Sequence, residues 1–195
     1  MDRITQSFLQ EFSTNFGFEK LDTSDQFEYF ADYCAIANET NTVDIDLQDM
    51  NTGEATQGID GIAIEINGRY IQHISDIDDI IRYNKSINVT FVLVQAKTSE
   101  EFDNTLIGNF LNFVKMFFSD DTTAFSTDEM KGFIELKDYI FSKSSYMKLR
   151  NPNIKLYYVS CGTWNENDVT LNAVISQYKN ELLDTNLFAD VPLCL

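Results

Sequence analysis

The most constraining feature of this sequence is an uninterrupted apolar segment, NVTFVLVQAK, at residues 88–97. Its residues are mostly β-branched or aromatic and do not alternate with polar ones, which is typical of a strand buried on both faces. Such a strand needs other strands beside it and helices above and below it. The segment therefore predicts an interior strand of a sheet that is covered on both faces.

The other periodicities predict the elements around this strand. Residues 59–66 indicate a second strand, and Asn67-Gly68 favours a tight hairpin to a return strand at residues 69–74. Further strands are expected at residues 153–160 and 188–195. Apolar residues at helical spacing predict helices at residues 2–15, 76–83, 103–118, 128–147 and 168–184, and a further helix that begins after Ser24. Ser24 and Ser75 are the expected N-terminal caps of two of these helices.

The resulting order, α-α-β-β-α-β-α-α-β-α-β, predicts an α/β fold in which helices flank a central mixed sheet. The chain has 195 residues, and its 2 prolines, Pro152 and Pro192, mark no domain boundary. We therefore predict an N-terminal helical extension at residues 1–23 and a single compact domain at residues 24–195.

The charge of the chain argues against loose binding to nucleic acid or to anionic membranes. It has 31 acidic and 14 basic side chains and a formal net charge of −17, which repels polyanions. The first 60 residues hold 13 of the acidic and 2 of the basic side chains. Residues 131–155 are the one basic stretch. Its cations either track phosphates or form a solvated face: Lys131, Lys137, Lys143, Lys148, Arg150 and Lys155.

The N-terminus and the cysteines predict a reduced, cytoplasmic protein without membrane association. The first residues, MDRITQSFLQEF, lack the apolar centre of a signal peptide, and no apolar run approaches the ~18–20 residues that cross a bilayer. The cysteines, Cys34, Cys161 and Cys194, are far apart, and His73 is the single histidine. This spacing argues against a disulfide framework and against a structural zinc site.

Asp60, Gln95 and Lys97 are the residues that best fit a chemical site. Asp60 stands at the start of one predicted strand, and Gln95 and Lys97 share a face at the end of the apolar strand. A lysine at the end of a buried strand needs a partner, and a neighbouring carboxylate is one candidate. Such a carboxylate could bind Mg²⁺, which would activate a water molecule for the hydrolysis of a phosphodiester. In the structural alternative, Asp60 caps a turn and Lys97 extends from the strand end to solvent.

Two motifs at this spacing resemble a nuclease family. GIDGIAIEINGRYI at residues 58–71 and FVLVQAKTSEEFD at residues 91–103 resemble the PD-(D/E)XK nuclease superfamily. The similarity is to the Mrr-like branch, in which glutamine replaces the central acid and gives QxK. The N-terminal domain of abortive-infection phage-resistance (AIPR-type) proteins is more similar still. The resemblance covers residues 27–118.

The resemblance implies a restriction-endonuclease-like fold and a Mg²⁺- or Mn²⁺-dependent endodeoxyribonuclease that acts on DNA in phage defence. It makes Asp60 and Gln95 metal ligands and assigns Lys97 to catalysis. It adds Glu28 as a catalytic and metal-binding residue, since Phe27-Glu28 matches a Phe-Glu pair on the first core helix of the family. Family members are longer, so the chain is either the N-terminal fragment of a longer protein with a further C-terminal domain or a stand-alone relative. A homodimer is also left open.

Two other classes of function stay open at this point. One is a non-catalytic module that uses a nuclease-like fold to bind protein or nucleic acid, which the acidic composition favours. The other is an acidic decoy that competes with DNA for a basic partner. The enzyme predicts that Glu28, Asp60, Gln95 and Lys97 converge, whereas the module predicts a collapsed or obstructed site.

Overall fold

The structure is a computed structural model that describes residues 1–39, 46–53 and 58–195. These residues form a five-stranded sheet in the order β2-β1-β3-β4-β5. The strands are β1 Gly61–Ile66, β2 Arg69–Tyr70, β3 Val89–Lys97, β4 Asn153–Ser160 and β5 Leu193–Cys194. β1 is antiparallel to β2 and β3, whereas β4 is parallel to β3 and β5. The predicted mixed sheet is confirmed, with β3 at its centre.

Helices cover both faces of this sheet, as predicted. Within the described residues they are α1 Arg3–Phe16, α2 Thr23–Glu39, α3 Ile74–Asn84, α4 Asn104–Phe117, α5 Asp128–Ser142 and α6 Val169–Asp184. Short 3-10 turns add Leu47–Met50 and Ser144–Tyr146. No helix among these residues is both long and apolar enough to cross a membrane.

Alternate residues of β3 enter two separate hydrophobic cores. Val92 and Val94 pack with α1 and α2 on one face. Phe91 and Leu93 pack with α4, α5 and α6 on the other face. Because both sets of side chains are fully buried, the strand has no polar face, and this explains its uninterrupted apolar sequence.

The hairpin after β1 forms as its sequence predicts. Asn67 and Gly68 both have positive φ angles, 55° and 82°, and Ile66 pairs with Arg69 across the turn. Positive φ at both central residues is what a two-residue turn needs to match the twist of its strands, and Asn-Gly tolerates it. The return strand is shorter than predicted, Arg69–Tyr70 instead of residues 69–74.

Several other element ends differ from the prediction for local reasons. Asp22, not Ser24, caps α2, because its Oδ1 accepts the N–H groups of Ser24 and Asp25 at 2.9 and 3.0 Å. The helix α3 starts before Ser75, and the N–H of His73 donates to the carboxylate of Asp76 at 3.0 Å. The predicted helix at residues 128–147 ends at Ser142, and the last strand contracts to Leu193–Cys194.

Candidate active site

The structure brings the four site residues predicted from the sequence together at one end of the sheet. Glu28 of α2, Asp60 just before β1, and Gln95 and Lys97 at the end of β3 all line one cavity of about 620 Å³. The register of the sheet causes this convergence, since Gly61 pairs with Val94 and places Asp60 beside the end of β3. The helix α2 contributes Glu28 from the other side.

Asp60 is at the centre of the site. Its Oδ2 accepts a hydrogen bond from the backbone N–H of Ala96 at 2.8 Å and another from the side-chain amide of Gln95. Lys97 Nζ lies 3.6 Å from the same oxygen. Burial raises the pKa of the Asp60 carboxyl, while Lys97 and the Ala96 N–H act in the opposite direction. These donors therefore stabilise a carboxylate that desolvation alone would neutralise.

Glu28 is half-buried in the cavity and does not extend into bulk water. Burial, followed by the negative charge of Asp60, raises the pKa of Glu28 from 4.5 to about 7, and Lys97 partly opposes this shift. Near neutral pH, the carboxyl of Glu28 is therefore divided between its two protonation states. A cation beside it would favour the charged state.

Asp32 belongs to the same group of acids, and the sequence analysis missed it. It lies one helical turn after Glu28, its exposed fraction is 2%, and its Oδ1 has no hydrogen-bond partner among the described residues. Burial, followed by Asp60 and Glu28, raises its pKa well above the ordinary range. The spacing of Glu28 and Asp32 was the available signal.

Gln95 presents its amide nitrogen, and not its carbonyl oxygen, to Asp60. The side chain is 1% exposed, so its position is fixed by packing in the sheet. A half-turn of the terminal amide would exchange nitrogen and oxygen and direct the carbonyl towards a cation beside Asp60. The ligand role that the resemblance implies for Gln95 therefore requires this rotation.

The donor chemistry of the site fits a hard divalent cation. Carboxylate and amide oxygens are the ligands that Mg²⁺ and Mn²⁺ take. The Oδ1 of Asp32 has no hydrogen-bond partner among the described residues, and a nearby cation would favour the ionised form of this carboxyl. In residues 1–39, 46–53 and 58–195, no three acidic, histidine or cysteine side chains are already grouped so that they could hold an ion. Cation binding at Asp60 therefore requires a local rearrangement of its donors.

Apolar and polar side chains both line the rest of the cavity. Leu21 and Leu106, each 37% exposed, line it together with Asp25, Asn109 and Phe113. Of the described residues that line the cavity, Lys97 alone carries positive charge. The site therefore lacks the basic groove that would track a long stretch of phosphates.

Two lysines of the basic stretch at residues 131–155 do not face the site. Lys137 is 3% exposed, and its Nζ donates to the carbonyl of Phe117 at 2.9 Å, at the end of α4. The backbone N–H of Lys148 donates to Ile87, which precedes β3. The site lies at the other end of β3, about 25 Å away at ~3.3 Å per residue. Lys137 and Lys148 therefore do not reach the site, and for the other cations of the stretch the tracking of phosphates stays a prediction.

Comparisons with known proteins identify no relative: no protein-family model, curated protein or solved structure matches this chain. The function therefore has to be inferred from the chemistry of the site and from the two motifs that form it. Both motifs contribute residues to the same cavity: the first supplies Asp60, and the second supplies Gln95 and Lys97.

Proposed function

We propose that this protein is a Mg²⁺- or Mn²⁺-dependent nuclease of the PD-(D/E)XK type that hydrolyses phosphodiester bonds in DNA. The observation that carries the proposal is the convergence of Glu28, Asp60, Gln95 and Lys97 on one cavity. These residues come from a helix, from the start of one strand and from the end of another. Packing alone does not require that four polar residues from separate elements meet at one point.

Each residue has a role that follows from its position. Asp60 and Glu28 supply charged oxygens for the cation, and Gln95 supplies a neutral one after its amide turns. A cation bound there would polarise the phosphate and lower the pKa of a bound water. Lys97 Nζ, 3.6 Å from Asp60 Oδ2, is placed to donate to the attacking water or to a phosphate oxygen that gains negative charge.

The biological setting forms part of the same proposal and is supported by the resemblance of the two motifs to AIPR-type proteins. It comprises DNA as the substrate, phage defence through abortive infection and a cytoplasmic location. The net charge of −17 and the single cation that lines the cavity, Lys97, favour local engagement of one or two phosphates. A long electrostatic footprint would need basic side chains beside Lys97.

Cleavage assays with matched variants test the enzyme. Wild-type protein is expected to cut plasmid or single-stranded DNA with Mg²⁺ or Mn²⁺ and to lose this activity in EDTA. Asp60→Asn and Lys97→Met should each lower the rate by at least about 100-fold, the usual effect of removing one group that stabilises the transition state. The matched controls, Asp120→Asn and Lys148→Met, change exposed residues and should retain activity.

Two results would contradict the enzyme. One is a folded wild-type preparation that cuts neither substrate with either metal. The other is an Asp60→Asn variant that cuts as fast as the wild type, since contaminating nuclease would then explain the activity.

A second function, the non-catalytic module with a nuclease-like fold, has an observation in its favour. Asp60 Oδ2 already accepts from Gln95 and Ala96 and lies near Lys97, so the carboxylate can act as a purely structural link between β1 and β3. This module predicts that Mn²⁺ does not bind to the wild type. The enzyme predicts binding that Asp60→Asn removes, and electron paramagnetic resonance of free Mn²⁺ distinguishes the two functions.

A further inference from the structure

Asp32 is buried at a place where an acidic side chain is costly. It projects from α2 into the core that α1 and α2 form with the sheet, and its exposed fraction is 2%. Its Oδ1 lacks a hydrogen-bond partner among the described residues. A buried carboxyl oxygen without a hydrogen-bond partner destabilises a fold unless something else offsets the cost. Asparagine would fill nearly the same space without an ionisable group.

The backbone beneath Asp32 is shaped to receive it. A Cβ atom on Gly61 would lie 2.1 Å from Asp32 Oδ1 and 2.6 Å from its Cγ, so only glycine admits the carboxyl at this distance. Gly61 directly follows Asp60, and therefore the carboxyl of Asp32 lies against the peptide that carries the central residue of the site. In the sequence Ile59-Asp60-Gly61, Asp60 thus supplies one carboxyl group to the site, and Gly61 leaves space for the carboxyl group of Asp32.

The charges nearest to Asp32 belong to the site. Asp60 and Glu28 are the charged groups that act on it, and both raise its pKa, as burial does. Lys97, the cation of the cavity, opposes the raised pKa of Glu28 and of Asp60. Lys97 therefore acts on Glu28 and Asp60, while no cation is among the groups that act on Asp32.

We infer that Asp32 is a positioning residue of the cation site. From its place against Gly61, it increases the affinity of Asp60 and Glu28 for a divalent ion. This inference rests on the proposed function, because it takes the site to bind Mg²⁺ or Mn²⁺. Asp32 would act through the negative charge that a bound cation favours on its carboxyl and through its contact with Gly61, and it need not touch the ion. Residues behind the ligands of metal sites commonly set affinity in this way.

The inference predicts opposite effects of one substitution on two measurements. Asp32→Asn keeps the shape of the side chain and removes the charge. The affinity for Mn²⁺, measured by calorimetry or by electron paramagnetic resonance, should fall by about 10-fold to 100-fold. The melting temperature of the protein in EDTA at neutral pH should rise by about 2–4 °C, because asparagine is buried uncharged without having to take up a proton, whereas the Asp32 carboxyl has to. A residue needed only for folding would lower the melting temperature.

Control variants separate this inference from the proposed function. Asp120→Asn removes an exposed acid and should leave both measurements unchanged, while Asp32→Ala should repeat the loss of Mn²⁺ affinity even if asparagine packs badly. If the wild type binds Mn²⁺, Asp60→Asn does not, and both Asp32 variants bind as tightly as the wild type, this inference alone is overturned. If the wild type binds no Mn²⁺, the proposed function and this inference are both overturned.

Discussion

Replacing Glu28 by glutamine should flatten the pH dependence of the stability of the cation-free protein. Burial, followed by the charge of Asp60, raises the pKa of Glu28 from 4.5 to about 7. The folded protein therefore binds more protons at this residue than the unfolded chain does. This contribution to stability is fully present below pH 4.5 and is lost as the pH rises through about 7.

The size of the effect follows from the shift. Each pKa unit corresponds to about 1.36 kcal/mol, so the free energy of unfolding would fall by at most about 3 kcal/mol. Because Glu28 is only half-buried, screening by solvent reduces this loss to about 1–2 kcal/mol. For a chain of this length, the loss corresponds to a decrease in melting temperature of about 2–8 °C.

Urea unfolding in EDTA between pH 4.5 and pH 8 measures this contribution. Wild type and Glu28→Gln should differ least at pH 4.5, and the variant should gain about 1–2 kcal/mol relative to the wild type by pH 8. Glu101→Gln, a change at an exposed position, serves as the matched control and should run parallel to the wild type. If the stability of Glu28→Gln depends on pH in the same way as that of the wild type, the Glu28 carboxyl is not desolvated and the reasoning is refuted.

Two further substitutions test other parts of the structure. Gly61→Ala would place a Cβ 2.1 Å from Asp32 Oδ1 and should lower the free energy of unfolding by about 1–3 kcal/mol in urea titrations. Gly132→Ala, which meets nothing within 4 Å, should not lower it. Charge reversal at Lys143 and Lys148 should leave the cleavage rate and its salt dependence unchanged, because Lys148 lies at the far end of β3. A large loss of cleavage would place them on the path of the substrate.

The centre of the fold was predictable because local rules determine it. The segment that becomes β3 is buried on both faces, and its sequence indicates this because polar and apolar residues do not alternate along it. The hairpin depends on Asn67 and Gly68 alone. The ends of elements were less predictable, since Asp22 and Ser24 are both good caps and the side chain that accepts the first helical N–H groups depends on the path of the preceding loop.

The site was predictable to the extent that its residues lie on strands. Gln95 and Lys97 share a face by the two-residue period, and Asp60 reaches them because β1 pairs with β3. Glu28 required the resemblance. The helix α2 carries apolar residues around much of its circumference, so its sequence does not state which face is buried, and Asp32 was missed for this reason.

The basic stretch shows what the spacing of charges leaves open. The position of its last lysines depends on the parallel pairing of β3 with β4. That register places Thr90 opposite Asn153, so Lys148, which precedes β4, lies near the start of β3, far from the site. Another lysine of the stretch, Lys137, is fully buried and donates to the end of α4. Neither result can be read from the spacing of charges.

The decisive measurement is the anomalous scattering of manganese in crystals grown with Mn²⁺. The proposed site predicts one strong peak in the cavity, about 2.1 Å from a carboxylate oxygen of Asp60 and next to Glu28, with the Gln95 amide turned so that its oxygen faces the ion. Crystals of Asp60→Asn should lose this peak. A cavity without a peak, with Lys97 still facing Asp60 and manganese only on surface acids, would contradict the cation site and the nuclease that depends on it.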